Sequence, residues 1–226
     1  VTTMKNHEPY ASLADHFNYR GVLKPSQESG CDEPSRGVHR NTALGCTFDS
    51  LDSERYMLTE DNRAIRDVAA HVPYDVLYIM VNHERYGGGG IYNLFCTFTS
   101  DNQWSEYVFL HEFGHSFAGL ADEYYSSSTA YNDFYPEGRE PNERNITALT
   151  DPENVKWADL LTPGVEVPTE WIKGDFDRMD EVYQGRRAHI NDRIAQLMND
   201  GAPAAEIEAV KAEGEENSRT NQENID

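Results

Sequence analysis

Apolar and polar positions alternate with two periods along this 226-residue chain, and the changes of period mark its elements. Residues 10–16 read as a short helix. Phe17–Leu23 alternates apolar and polar residues and reads as a strand, and Thr42–Phe48 reads as a second one. Between them Lys24–Asn41 is loop. Ala64, Ile65, Val68 and Ala69 form one face of a helix predicted over 60–71, capped by Thr59 and closed by Pro73. Tyr74–Val81 is strongly apolar and is expected as a central strand covered on both faces. A glycine-bearing loop follows over 82–90, then a strand over Ile91–Phe98.

The next stretch organises the rest. Ser100 with Gln103 reads as a capping box at the head of a helix that Gly119 stops. Trp104, Val108, His111 and His115 share one stripe of it, with Tyr107, Leu110 and Phe117 expected to pack inward. Beyond it, Tyr124–Pro141 is aromatic and turn-rich, a segment expected to wrap a cleft, and Glu153–Leu161 reads as a short helix. From Asp175 the pattern changes. Phe176, Met179, Tyr183, Ile190, Ile194 and Leu197 recur at helical spacing up to Asn199. A turn at 200–203 then leads to a second helix anchored by Ile207 and Val210. The expected organisation is an α/β (α+β) catalytic domain over 1–172 and a helical hairpin over 173–226.

His111, Glu112 and His115 form the motif HExxH. Residues four apart on a helix stand one above the other, so both imidazoles can reach one metal ion. Glu112 is placed to take a proton from water on that ion. Zinc suits nitrogen and oxygen donors and needs a third protein ligand. Asp122, three residues past Gly119, is the candidate, and its neighbour Glu123 is the alternative.

The run His-Glu-Phe-Gly-His-Ser-Phe-Ala-Gly-Leu-Ala-Asp-Glu-Tyr, residues 111–124, resembles the active-site helix of the bacterial IgA-peptidase family of zinc metallopeptidases. The resemblance extends upstream through Asn41–Leu44, Asp75–Asn82 and Tyr86–Gly90. Downstream it takes in Pro141-Asn142 and Lys156-Trp157. It implies a metzincin-like fold with a twisted mixed sheet, a Zn2+ cofactor, and endopeptidase activity on protein or peptide substrates. It does not imply that IgA is the substrate. Metzincin-like proteases pair the substrate backbone with an edge strand above the metal, and Gly87–Gly90 with the Ile91 strand are the candidates for that rim. Members of the family carry a Cys- and Met-containing turn beneath the metal. This sequence reaches Asp226 without one, and Met179 and Met198 fall on a helical stripe instead. The competing functions are a non-catalytic protein- or glycan-binding module and an amidase acting on peptidoglycan peptides.

Charge narrows the partners. Nineteen basic residues against 40 acidic ones leave a net charge of −21, a surface that repels phosphate. Nucleic acid and anionic membranes are therefore poor partners, and no apolar run has the length of a membrane span. The glycine run lacks the Lys-Ser or Lys-Thr of a phosphate loop. The chain starts at Val1 rather than Met, which fits a processed or excised form, so the absence of a signal peptide says nothing about export; the expected setting is bacterial and secreted, cell-surface or periplasmic. Cys31 and Cys46 flank a loop and either pair across it in an oxidising compartment or stand as separate thiols. Cys96 is expected buried, and His7, His16, His39 and His83 exposed. Asp49, Asp52 and Glu54 read as solvated loop acids, and Asn145-Ile-Thr147 as a chance glycosylation pattern.

Overall fold

Four consecutive glycines set the layout of the sheet. Gly88–Ile91 is a strand (β2), not the loop that the glycines suggest. A Cβ on Gly88 would lie 2.7 Å from Val108, and one on Gly89 would lie 2.6 Å from Leu58. The strand is therefore pressed between a helix on one face and the Met57–Leu58 segment on the other, and only glycine leaves room. It pairs antiparallel with Phe95–Thr99 (β3), which pairs parallel with Tyr78–Val81 (β1), an order of β1-β3-β2.

The computed structural model describes residues 1–123, 135–136, 138–169 and 172–225. They form an α+β protein of two units. The first comprises residues 1–34 and 38–150. It opens with a short helix, α1 (Thr2–Asn6), and carries α2 (Asn62–Ala69), the mixed sheet and α3 (Ser105–Phe113). Its core gathers Phe48, Met57, Ile65, Ile79, Val81 and Phe95 around the buried Cys31 and Cys46. The second comprises residues 35–37 and 151–226. There α4 (Lys173–Asn199) and α5 (Ala204–Ile225) pack through Ile190, Ile194 and Val210, as the helical stripes imply.

Several expectations are corrected. β1 lies at a sheet edge rather than the centre, and its Met80 is 69% exposed. Phe17–Leu23 forms no strand. Of Thr42–Phe48 only Thr47 joins a ladder, bridging Asp32 and Leu58. Ile91–Phe98 is broken by a turn at Tyr92–Leu94, with Asn93 at φ 56°. The cap of α2 is Asp61, which accepts from the Ala64 amide at 2.9 Å; Thr59 instead donates to the Leu44 carbonyl. Over residues 10–16 only Ala14–His16 is helical, and over 153–161 only Ala158–Leu160, each a single 3-10 turn.

His83 and Asp49 are partly buried rather than exposed. The Arg85 guanidinium lies 2.9 Å from Glu33 and 3.4 Å from Asp49, and 4.3 Å above the Phe48 ring. His83 Nε2 faces Glu33 at 3.2 Å. This largely buried cluster, with Glu33 at its centre, ties the loop at Glu33 to the connection between β1 and β2. Cys31, Cys46 and Cys96 are all buried free thiols.

Candidate metal centre

The helix that carries HExxH starts later than its sequence suggests. Ser100 directly follows β3 and is still bonded to β1, its amide donating to the Val81 carbonyl at 2.9 Å. The chain is turned instead by Asn102, whose side chain accepts from the Trp104 amide at 2.9 Å. Helix α3 then runs from Ser105, continues as a wider π-type turn over Gly114–Ala118, and stops at Gly119 with φ 64°. The inward face is Val108, Glu112, Phe113 and Ser116. Tyr107 and Phe117 are exposed rather than packed inward. Phe113 stacks on Tyr78, whose hydroxyl donates to the Phe109 carbonyl at 2.6 Å, so the helix is fastened to β1.

This placement brings three of the expected residues together. His111 Nε2 and His115 Nε2 lie 3.0 Å apart, and Asp122 Oδ1 is 3.0 Å from the first and 3.1 Å from the second. Two nitrogen lone pairs and a carboxylate oxygen facing one another so closely repel unless a positive charge lies among them. A proton or a metal ion can supply it. Tetrahedral zinc with bonds of ~2.0–2.1 Å sets its ligands roughly 3.3 Å apart, close to this triangle, and the N, N, O donor set suits such an ion.

The surroundings set the protonation states. His115 Nδ1 donates to the Leu120 carbonyl at 2.6 Å, which leaves Nε2 to face the triangle. Burial disfavours the His115 imidazolium, but hydrogen bonds to Asp122 and to Leu120 outweigh that and raise its pKa to about 9. Burial also works against the Asp122 carboxylate, yet the two histidines pull its pKa well below the usual carboxylate range. Glu112 is 8% exposed. Its burial outweighs the favourable histidines and raises its pKa to about 7.

Gly90 closes over Glu112. A Cβ there would lie 2.6 Å from the Glu112 carbonyl oxygen, 2.9 Å from His115 Cβ and 3.2 Å from Glu112 Oε2. Its own backbone faces away from β3. It is opposite Cys96, whose amide bonds to Leu77 on the other side. Two residues earlier, the outward groups of Gly88 bond to the Arg55 carbonyl and the Met57 amide. Sequence reasoning offered Gly87–Gly90 as a rim but missed that their lack of side chains lets the strand lie against the helix, and it missed Asn145. The Asn145 side chain accepts from the Ala121 amide at 2.8 Å and donates to the Ala121 carbonyl and to Glu123 Oε1, each at 2.8 Å. Only the glycosylation pattern drew notice there. Most of the aromatic segment, residues 124–134 with 137, lies outside the described residues.

Comparison with known proteins gives one finding. A family model described as IgA Peptidase M64 matches residues 1–221. A search among curated proteins returned no match.

Proposed function

The chain belongs to the IgA peptidase M64 family, which makes its function that of a metallopeptidase, and from that premise we propose a zinc-dependent endopeptidase with Glu112 as general base. The convergence of His111 Nε2, His115 Nε2 and Asp122 Oδ1 to 3.0–3.1 Å carries this proposal. These three residues would hold the metal. When bound, zinc supplies Lewis acidity that lowers the pKa of a coordinated water to roughly 7 and polarises the scissile carbonyl.

The remaining steps fall to the protein. The Glu112 carboxylate accepts a proton from the attacking water and passes it to the departing amine nitrogen. Burial works against its charged form and a cation beside it works the other way, so the carboxylate is set to take a proton and to return it. Its burial excludes competing solvent, and the backbone of β2 above it holds its position. The Leu120 carbonyl keeps the His115 ring in one orientation. The outward N–H and C=O of Gly90 continue the line already used by Arg55 and Met57, and an extended substrate can add there as a further strand. Such pairing reads main chain, so it suits protein substrates of varied sequence.

The test is casein cleavage by the purified protein, with metal stripped by chelator and restored as zinc. Glu112→Gln should retain one zinc per chain while turnover falls by roughly 10²–10⁴-fold, the range for loss of a general base. Turnover at the wild-type rate in Glu112→Gln would remove Glu112 from its role. Cleavage untouched by metal removal would remove the metal from the reaction.

A further inference from the structure

The triangle of donors leaves open what holds its third corner. His111 and His115 are placed by a helix, but Asp122 lies in extended chain beyond Gly119, where no regular structure fixes it. We propose that Asn145 is the positioning residue that sets Asp122 as the third metal ligand and keeps Glu123 out of that place. The inference rests on the metallopeptidase reading above and concerns how its site is assembled.

The side-chain amide of Asn145 pairs with both polar groups of the Ala121 peptide, as a neighbouring strand would. Its Oδ1 accepts from the Ala121 N–H, and its Nδ2 donates to the Ala121 C=O, both at 2.8 Å. The second hydrogen of Nδ2 goes to Glu123 Oε1, also at 2.8 Å. Reversing the amide would set oxygen against two acceptors and nitrogen against a donor, so only one orientation satisfies all three partners. Every hydrogen of this amide is used.

The consequence is specific to the residue between. Leu120 is tied through its carbonyl to His115, Ala121 through both its amide and its carbonyl to Asn145, and Glu123 through its carboxylate to the same side chain. Asp122 is held on both sides. Its short side chain has few torsions with which to correct a misplaced backbone, so the clamp decides whether Oδ1 meets the two imidazoles. The neighbouring carboxylate is turned to Asn145 and is exposed. This gives a physical reason for the choice of Asp122 over Glu123, which spacing alone leaves open. It also bears on the pattern Asn145-Ile-Thr147. A glycan on Nδ2 would remove one of the two donors, and Thr147 is itself bonded to Glu140 at 2.9 Å.

The experiment is zinc affinity by competition with a chromophoric chelator, alongside the visible spectrum of the cobalt-substituted protein. Both read the site without turnover. Partners that orient metal ligands typically account for about 10–100-fold in affinity. Asn145→Ala should therefore weaken zinc by that factor and alter the cobalt bands. Asn145→Asp should be weaker still, because it sets a carboxylate against Glu123. Adding Glu123→Gln to it should recover part of that loss, by more than about twofold, because it restores a donor and acceptor pair at residue 123 while the Ala121 carbonyl stays without its donor. A zinc affinity within twofold of wild type in Asn145→Ala, with an unchanged cobalt spectrum, overturns the proposal. So does the absence of recovery in the double variant. If Asn145→Ala fails to fold, N145D/E123Q measured against N145D decides by the same criterion. A wild-type chain that binds no zinc defeats the metallopeptidase reading itself. A wild type that binds normally beside an equally competent Asn145→Ala defeats this inference alone.

Discussion

Gly90→Ala adds a single methyl group at the tightest point above the helix that carries HExxH, and its effect can be worked from distances. Gly90 does not have a positive φ, so alanine suits its backbone and the effect is purely steric. The new carbon would lie 2.6 Å from the Glu112 carbonyl oxygen and 2.9 Å from His115 Cβ. Ordinary contact begins at 3.4 Å, so strand and helix must part by about 0.8 Å. Neither neighbour is the flexible end of a side chain. Overpacking of this kind costs about 1–3 kcal/mol. In a chain of this size each kcal/mol moves Tm by roughly 2–4 °C, so a fall of about 2–12 °C is expected. A displacement near 1 Å at reacting groups costs on the order of 10²-fold in rate. The assay pairs thermal melting with kcat on casein, each with zinc present. Gly21→Ala is the control, because a Cβ at Gly21 meets nothing within 4 Å. If Gly90→Ala matches Gly21→Ala in both measurements, β2 does not lie against Glu112 and His115 as described.

The metal-free protein should lose stability as pH rises from about 5 to 9. Glu112, raised from 4.5 to about 7, binds its proton more tightly folded than unfolded, so stability falls as pH climbs through that window. His115, raised from 6.5 to about 9, contributes stability that is complete below 6.5 and lost as pH rises through 9. Zinc binding runs the other way, because the imidazoles must shed protons to ligate, so affinity should increase across the same range. Melting curves with chelator in wild type and Glu112→Gln check the sign: the slope between pH 5 and 7 should flatten in the variant, and a wild-type Tm that rises there would contradict it. Arg85→Ala removes the guanidinium that Glu33 and Asp49 share, and loss of one partner from a buried ion pair costs about 3–5 kcal/mol. Urea denaturation should show that loss, with partial recovery when Glu33→Gln removes the carboxylate charge that faced Arg85; a change under about 1 kcal/mol would make the cluster a surface feature.

The functional helix was legible because its signal is local. Four-residue spacing and a terminal glycine need no tertiary context, and His111, His115 and Gly119 stand where that spacing puts them. The helical hairpin was legible for the same reason, since its stripe repeats over many turns. The sheet was not. Gly87–Gly90 has every mark of a loop, because glycine's freedom and glycine's lack of volume look identical in sequence. Here volume decides, through contacts with Val108, Leu58 and Glu112 that lie far away along the chain. The cap of α2 falls at Asp61 rather than Thr59, which is engaged with Leu44, and α3 starts after Trp104 with no side-chain cap, because Ser100 is engaged with Val81. His83 looked exposed because its partner Glu33 is 50 residues earlier. Asn145 stands 24 residues from the peptide it holds, and no periodicity announces such a bond.

The most direct measurement is X-ray absorption at the zinc edge on the zinc-loaded wild type and on Asp122→Asn. The wild type should hold one zinc per chain, with nitrogen and oxygen donors at ~2.0–2.1 Å, two of them imidazoles and one a carboxylate. Asp122→Asn should lose the carboxylate contribution and bind more weakly, while both imidazoles remain. A wild-type zinc bound through sulfur, or a chain that retains no stoichiometric metal while still cleaving protein, would contradict the account.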